Sequence, residues 1–262
     1  MPLLRSVLPG SRMEVSVKNE NNKERQQQAL MKRIVAFIMI TAVLSGGIAA
    51  FAEEGLFSGN SLDVVYLGGS ITQGYGASAP SKSWVGMITD YLKTAYPNKT
   101  VNATNAGVGG TGSDLGLFRL NRDVISKEPD LVFVEFAVND RWNDAAETMK
   151  FMEAIVRNLQ KSKNPPAIIF LYTATKEMDA CDTVHQKVAD YYGIPSINLQ
   201  AYIKEQTDSK KLDLSALFMD NVHPNDAGYQ LYGDYIIEKL KNSPSAYLKR
   251  ARKQIKPLLE PT

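Results

Sequence analysis

Five short runs of β-branched and aliphatic residues punctuate the chain, at 63–67 (DVVYL), 101–105 (VNATN), 131–136 (LVFVEF), 167–172 (AIIFLY) and 194–198 (IPSIN). Between them, apolar residues recur at helical spacing. The stripes are Trp84, Met87, Ile88, Tyr91 and Leu92; then Leu115, Phe118, Leu120 and Val124; then Met149, Met152, Ile155, Val156 and Leu159; then Val184, Val188 and Tyr191. Apolar runs with no alternation are buried on both faces, and strands that alternate with helices are joined by crossovers. The pattern predicts an α/β chain, a parallel sheet with helices on both faces. Ligands of such sheets bind outside the carboxyl ends of the strands. The residues just past each run therefore carry the information about function.

The first run leaves through Gly68-Gly69-Ser70, within LGGSITQGYG. By itself this is a tight strand-to-helix turn or a nucleophile held at a strand exit, and the stretch does not choose between them. The second run is followed by NAGVGGTGSDLGLFRL, residues 105–120, a glycine-rich turn entering a helix. The third ends in EFAVNDRW, with Asn139 and Asp140 just past the apolar residues, and DNVHP near the end places Asp220 three residues before His223. Four polar or glycine clusters thus gather on one sheet edge.

Together they supply what acyl transfer needs. A serine hydroxyl is a weak nucleophile until a base takes its proton, and imidazole titrates near neutrality. His223 is one of two histidines in the chain, and Asp220 in the same short loop can hold its other nitrogen. The developing oxyanion needs fixed donors, for which the backbone N–H groups of Ser70 and Gly110 and the amide of Asn139 are the candidates. The competing readings are weaker. Asp220 and His223 as a metal pair would need further ligands, and no histidine or cysteine cluster completes them. His185 reads as a surface or packing histidine, Asp140 as a turn residue, and Asp114 as an acid in a helix first turn. GYGAS is not followed by the Gly-Lys-Ser/Thr of a phosphate loop.

With these blocks in hand, the chain resembles the SGNH hydrolases, also called GDSL-type esterases and lipases. Ser70 in GGSIT matches the serine block, Gly110 in NAGVGG the glycine block, Asn139 in AVND the asparagine block, and Asp220 with His223 in DNVHP the histidine block. The resemblance spans about residues 62–240. It implies a flavodoxin-like three-layer α/β/α sandwich with a five-stranded parallel sheet, and ester hydrolysis without a cofactor or metal. Two departures stand out. The family's usual aspartate before the serine is Gly69 here, so any part that carboxylate plays in ordering the turn is missing. The usual glycine opening the asparagine block is Ala137.

The domain organisation comes from composition. MKRIVAFIMITAVLSGGIAAFAEE has two basic residues, an apolar run and a small-x-small site, which makes residues 31–52 a signal peptide. The alternative is an uncleaved membrane anchor, against which Gly46-Gly47 and the Ala-x-Ala site count. Residues 1–30 are polar and precede the signal, and read as a start assigned too early or an extended n-region. An exported protein beginning near Glu53 is expected, with the hydrolase domain over 53–242 and a basic tail over 243–262. Residues 1–52 hold seven Lys/Arg and three Asp/Glu, so 23 basic and 25 acidic side chains remain. The tail carries five basic and one acidic, leaving 53–242 at −6, which excludes a nucleic-acid partner over the main surface. Leu248, Ala251, Ile255 and Leu258 predict a terminal helix docked on the domain, with a cell-wall or membrane-surface contact as the alternative. Cys181 is the single cysteine and reads as a buried structural thiol.

The expected function is a secreted esterase acting on short-chain O-acyl esters, acetyl above all, of a carbohydrate or other small substrate. Export places it among polysaccharides, and Tyr75 and Trp142 lie where aromatic faces could stack on a sugar. The alternatives are a polysaccharide O-acyltransferase using the same three residues, a long-chain lipase or lysophospholipase, and a carbohydrate-binding module without activity. No long apolar insertion between the blocks offers a lid for a fatty chain.

Overall fold

A computed structural model describes residue 57, residues 59–254 and residues 256–258. The expectations for residues 1–52, and for a start near Glu53, lie outside the described residues. The five apolar runs are five strands: β1 (Ser61–Gly68), β2 (Thr100–Gly107), β3 (Leu131–Glu135), β4 (Ala167–Tyr172) and β5 (Ser196–Asn198). They form one sheet in the order β2-β1-β3-β4-β5, every pairing parallel. Eight helices belong to the described residues: α1 (Ser70–Gln73), α2 (Trp84–Ala95), α3 (Ser113–Asp123), α4 (Ala145–Lys161), α5 (Asp182–Tyr192), α6 (Leu199–Asp208), α7 (Asp226–Asn242) and α8 (Pro244–Tyr247). Crossovers of the kind that parallel strands require put α2 on one face of the sheet, where it packs with α7, and α3, α4 and α5 on the other. The expected three-layer sandwich is present.

Every residue of β3 and β4 is buried, as near-continuous apolar runs require. β2 departs from the expectation of buried strands: it is the sheet edge, and only Ala106 in it is buried. Helix starts coincide with side-chain caps. Ser83 accepts from the Gly86 N–H, Asp144 from Ala146 and Glu147, Asn198 from Ala201, and Asn225 from Ala227 and Gly228.

The stripe on α3 needs correction. Leu115 and Phe118 are exposed, while Ser113, Gly116, Arg119 and Leu120 are buried. A Cβ at Gly116 would strike the Phe136 ring, so the absence of a side chain there lets α3 lie directly on that ring. Close packing through glycine sets the helix phase, and two large apolar residues turn outward. Arg119 exploits the same approach. Its guanidinium donates to the carbonyls of Gly68 (2.9 Å) and Ala106 (2.6 Å), tying the ends of β1 and β2 together.

The tail also differs. Helix ends at Tyr247, and the chain then runs extended, with Arg250 in an antiparallel bridge to Ala167. The last carbonyls of α5 lack intrahelical partners, and the tail satisfies them. The Arg252 N–H donates to Tyr192 (2.6 Å), its guanidinium to Asp190 (2.6 Å), and the Gln254 amide to Tyr191 (2.7 Å). A guanidinium at a helix C-terminus is favoured by the dipole as well. These bonds offer the segment more than a solitary terminal helix would. Cys181 is half-buried rather than buried, and burial pushes its thiol up to about 11.

Candidate active site

β1 and β3 are neighbours, but the chain proceeds from β1 to β2 on one side and to β3 on the other. In sheets of this kind such a reversal, at the carboxyl ends of β1 and β3, is where ligands bind. Ser70 begins α1 directly after β1, and Asn139 comes just after β3. His223 arrives in the loop before α7. The Ser70 Oγ and the His223 Nε2 are 2.9 Å apart, and the His223 Nδ1 is 2.8 Å from an Asp220 carboxylate oxygen. A base so placed can take the hydroxyl proton while Asp220 holds the other nitrogen as N–H.

The other Asp220 oxygen accepts the N–H groups of Val222 and His223, both at 2.7 Å. Burial raises the Asp220 pKa, but the His223 side chain and those two amides outweigh it and hold the carboxyl down at about 2. Its folded value lies below the ordinary one. Its contribution to stability is therefore present above about pH 4 and lost as pH falls through about 2.

Three donors around Ser70 have no hydrogen-bond partner among the described residues: the N–H of Ser70, the N–H of Gly110 and the amide of Asn139. Gly110 takes φ +72°, with open space where a Cβ would stand. The preceding Gly109 N–H is occupied by the Gln73 side chain at 3.0 Å. The Asn139 oxygen lies against the Gly69 Cα, since a Cβ on Gly69 would come within 2.5 Å of it. Serine turn and asparagine turn are thereby in contact, and the amide can donate to an oxygen bound at Ser70.

The aromatic candidates differ in placement. Tyr75 is exposed, with its ring centroid 4.5 Å from that of His223. Trp142 is 80% exposed, and the Arg141 guanidinium stacks 3.9 Å from its ring centre. It stands three residues after Asn139, and no contact ties it to Ser70 or His223. Asp114 sits in the first turn of α3 as expected. Among the described residues, no three His, Cys, Asp or Glu side chains are gathered to hold a metal ion.

One pairing and one residue escape the sequence. His185, one of the two readings for which was packing, is fully buried, and it is bonded through Nε2 to Asp140 at 2.9 Å, while Asp140 also accepts the Ser113 N–H that opens α3. His185 is thus a packing residue that fixes the loop behind Asn139. The second is Glu135, the last residue of β3, completely buried beneath the serine turn. Thr72 and Thr173 donate their hydroxyls to it at 2.7 and 2.9 Å, and the backbone N–H groups of Gly69 and Thr72 also face it. The turn has a carboxylate after all, supplied by a neighbouring strand. An acid ending an otherwise apolar run was the available signal.

Strand order and site geometry define a hydrolase-type α/β sandwich, and comparison with known proteins makes the class specific. The chain belongs to the GDSL-like Lipase/Acylhydrolase family, whose model matches residues 66–231, and is by class a carboxylic-ester hydrolase. It is similar to the thioesterase 1/protease 1/lysophospholipase L1 of Escherichia coli (strain K12), 23% identical over 68% of this chain and 83% of that protein. Among solved structures it resembles a two-domain esterase (CEX) active on acetylated mannans, co-crystallised with mannopentaose. The identity is 29% and the TM-score 0.71, over 81% of this chain and 56% of that one. The chain thus spans little more than half of that two-domain protein. Axe2, an acetylxylan esterase from Geobacillus stearothermophilus, shares the fold at 21% identity and TM-score 0.59, over 70% of this chain and 95% of its own.

Proposed function

We propose that the protein removes short acyl groups, acetyl above all, from a carbohydrate. Ser70 is the nucleophile, His223 the general base, and Asp220 the residue that orients it. The observation that carries the reading is the unbroken chain from Ser70 through His223 to Asp220, at 2.9 and 2.8 Å, beside three unpartnered donors. The hydroxyl attacks the ester carbonyl as His223 takes its proton. The oxyanion is met by Ser70 N–H, Gly110 N–H and Asn139, and the alkoxide leaves with the proton from His223. Water then repeats the sequence on the acyl-enzyme, with His223 again as base. The 29% identical CEX, active on acetylated mannans, supports the carbohydrate acetyl ester. The segment 31–52 supports export to where such polymers lie.

The test is a product assay on an acetylated glycan with and without an acceptor sugar. Free acetate in both arms is the expected result; transfer to the acceptor in place of acetate would make the protein an acyltransferase. On p-nitrophenyl esters, acetate should be cleaved faster than chains of about ten carbons. The reverse order would favour a lysophospholipase-like role. Trp142→Ala should weaken glycan turnover by about tenfold and leave p-nitrophenyl acetate nearly unaffected, because an exposed ring recognises sugar rather than acyl carbon. Equal losses on both substrates would remove Trp142 from recognition.

Asn139→Ala should lower kcat by about 10²–10³ with little change in KM, because the oxyanion exists only after attack. An effect confined to KM would place Asn139 in ground-state binding.

A further inference from the structure

We infer that Glu135 is a positioning residue for catalysis: its buried carboxylate anchors the Ser70 turn from the neighbouring strand, and the enzyme works only while that carboxylate is ionised. The inference rests on Ser70 being the nucleophile.

Ser70 starts a helix of four residues, too short to hold its own geometry. Its N-cap residue, Gly69, has no side chain with which to accept the free N–H groups of the first turn. Glu135 supplies that acceptor. It stands beside Gly68 in the β1–β3 register, and one carboxylate oxygen accepts the Thr72 hydroxyl of the turn at 2.7 Å while the Gly69 and Thr72 N–H groups face the carboxylate. The Thr173 hydroxyl, just past β4, donates to the other oxygen at 2.9 Å. An ionised carboxylate only accepts, which suits every one of these donors. The N–H of Ser70 has no partner among the described residues and is left for a ligand. Tyr229 on α7 braces the same turn from the other side, its one hydroxyl proton shared between the carbonyls of Ile71 (3.1 Å) and Tyr75 (2.8 Å).

The charge stands without a countercharge. Among the described residues no Lys, Arg or His pairs with Glu135. The groups around it are Thr72 and Gly69 from the turn, Thr173 after β4, and the phenols of Tyr229 and Tyr232 on α7, which are themselves pushed up by burial. Arg119 on α3 reaches the Gly68 carbonyl and pairs with Asp123 instead. Burial therefore pushes Glu135 up to about 7, against the four donors that hold it down. A proton on one oxygen turns an acceptor into a donor facing fixed N–H groups, and a turn anchor is lost. Uptake of that proton then lowers activity on the acid side of the profile.

The experiment is a pH–rate profile on p-nitrophenyl acetate for the parent, Glu135→Gln and Thr173→Val, each checked by circular dichroism. Glu135→Gln should lower kcat by about 10- to 100-fold with KM little changed, and remove the Glu135 step from the acid limb. Thr173→Val removes one donor to the anion and keeps the side-chain shape, so the limb should move up by about one pH unit. It decides the matter even where Glu135→Gln does not fold. Parent kcat and an unaltered limb in Glu135→Gln, or an unmoved limb in Thr173→Val, would overturn the inference. Retention of activity in Ser70→Ala would instead overturn the nucleophile on which it rests. Inactive Ser70→Ala with parent-like Glu135→Gln defeats the inference alone.

Discussion

Ser70→Ala is expected to lower kcat on an acetyl ester by about five to six orders of magnitude while the melting temperature stays near that of the parent. The size reflects the step removed. Without Oγ no acyl-enzyme forms, and only the oxyanion donors and substrate positioning remain, which together support about 10³–10⁴ over water. The fold should not notice. Ser70 Oγ makes one hydrogen bond, to His223, on a half-buried side chain, and the turn is held by its backbone and by Glu135. Kinetics beside a thermal melt make the check, and a folded Ser70→Ala within 100-fold of the parent would end the serine mechanism.

His223→Ala should cost nearly as much as Ser70→Ala, and the double variant little more than either, because nucleophile and base act in one proton transfer. Asp220→Asn is the more discriminating change and should cost about 10⁴ in kcat. The remaining amide oxygen could still accept the N–H groups of Val222 and His223. The amide nitrogen, however, would then face the imidazole nitrogen that Asp220 now holds as N–H, and the tautomer presented to Ser70 would be wrong. Since Asp220 is held down at about 2, its own protonation cannot produce a loss of activity between pH 5 and 8. A fall in activity between pH 8 and pH 5 therefore belongs to groups other than Asp220, the buried Glu135 among them.

How much of this was legible depended on how far apart the partners lie in the chain. β4 was readable to the residue, because a strand buried on both faces is apolar throughout. The sequence pattern does not mark the helices α6 and α7. The buried face of α7 is made of Gly228, Tyr229, Tyr232 and Gly233 as much as of Ile236 and Leu240, and tyrosine and glycine do not mark a stripe. Asp220 and His223 sit three residues apart and declare themselves locally. Glu135 takes its hydroxyl donors from residues 63 and 38 positions away, and His185 reaches Asp140 across 45. Such pairs exist only once the sheet order is known. The outward turn of Leu115 and Phe118 was hidden for a related reason, since Gly116 sets the phase of α3 through a ring on another element.

The fit between Gly69 and Asn139 bears on how this active site can change over evolutionary time. With the amide oxygen 2.5 Å from where a β-carbon at 69 would stand, a side chain installed there by one substitution obliges the Asn139 side chain to shift. Glu135, for its part, has no reason to remain once a carboxylate at 69 serves the same amides. Positions 69, 135 and 139 therefore constitute an epistatic set. A lineage that swaps the source of its carboxylate must re-seat Asn139 as it does so, and covariation among these three columns is what an alignment of such chains should record.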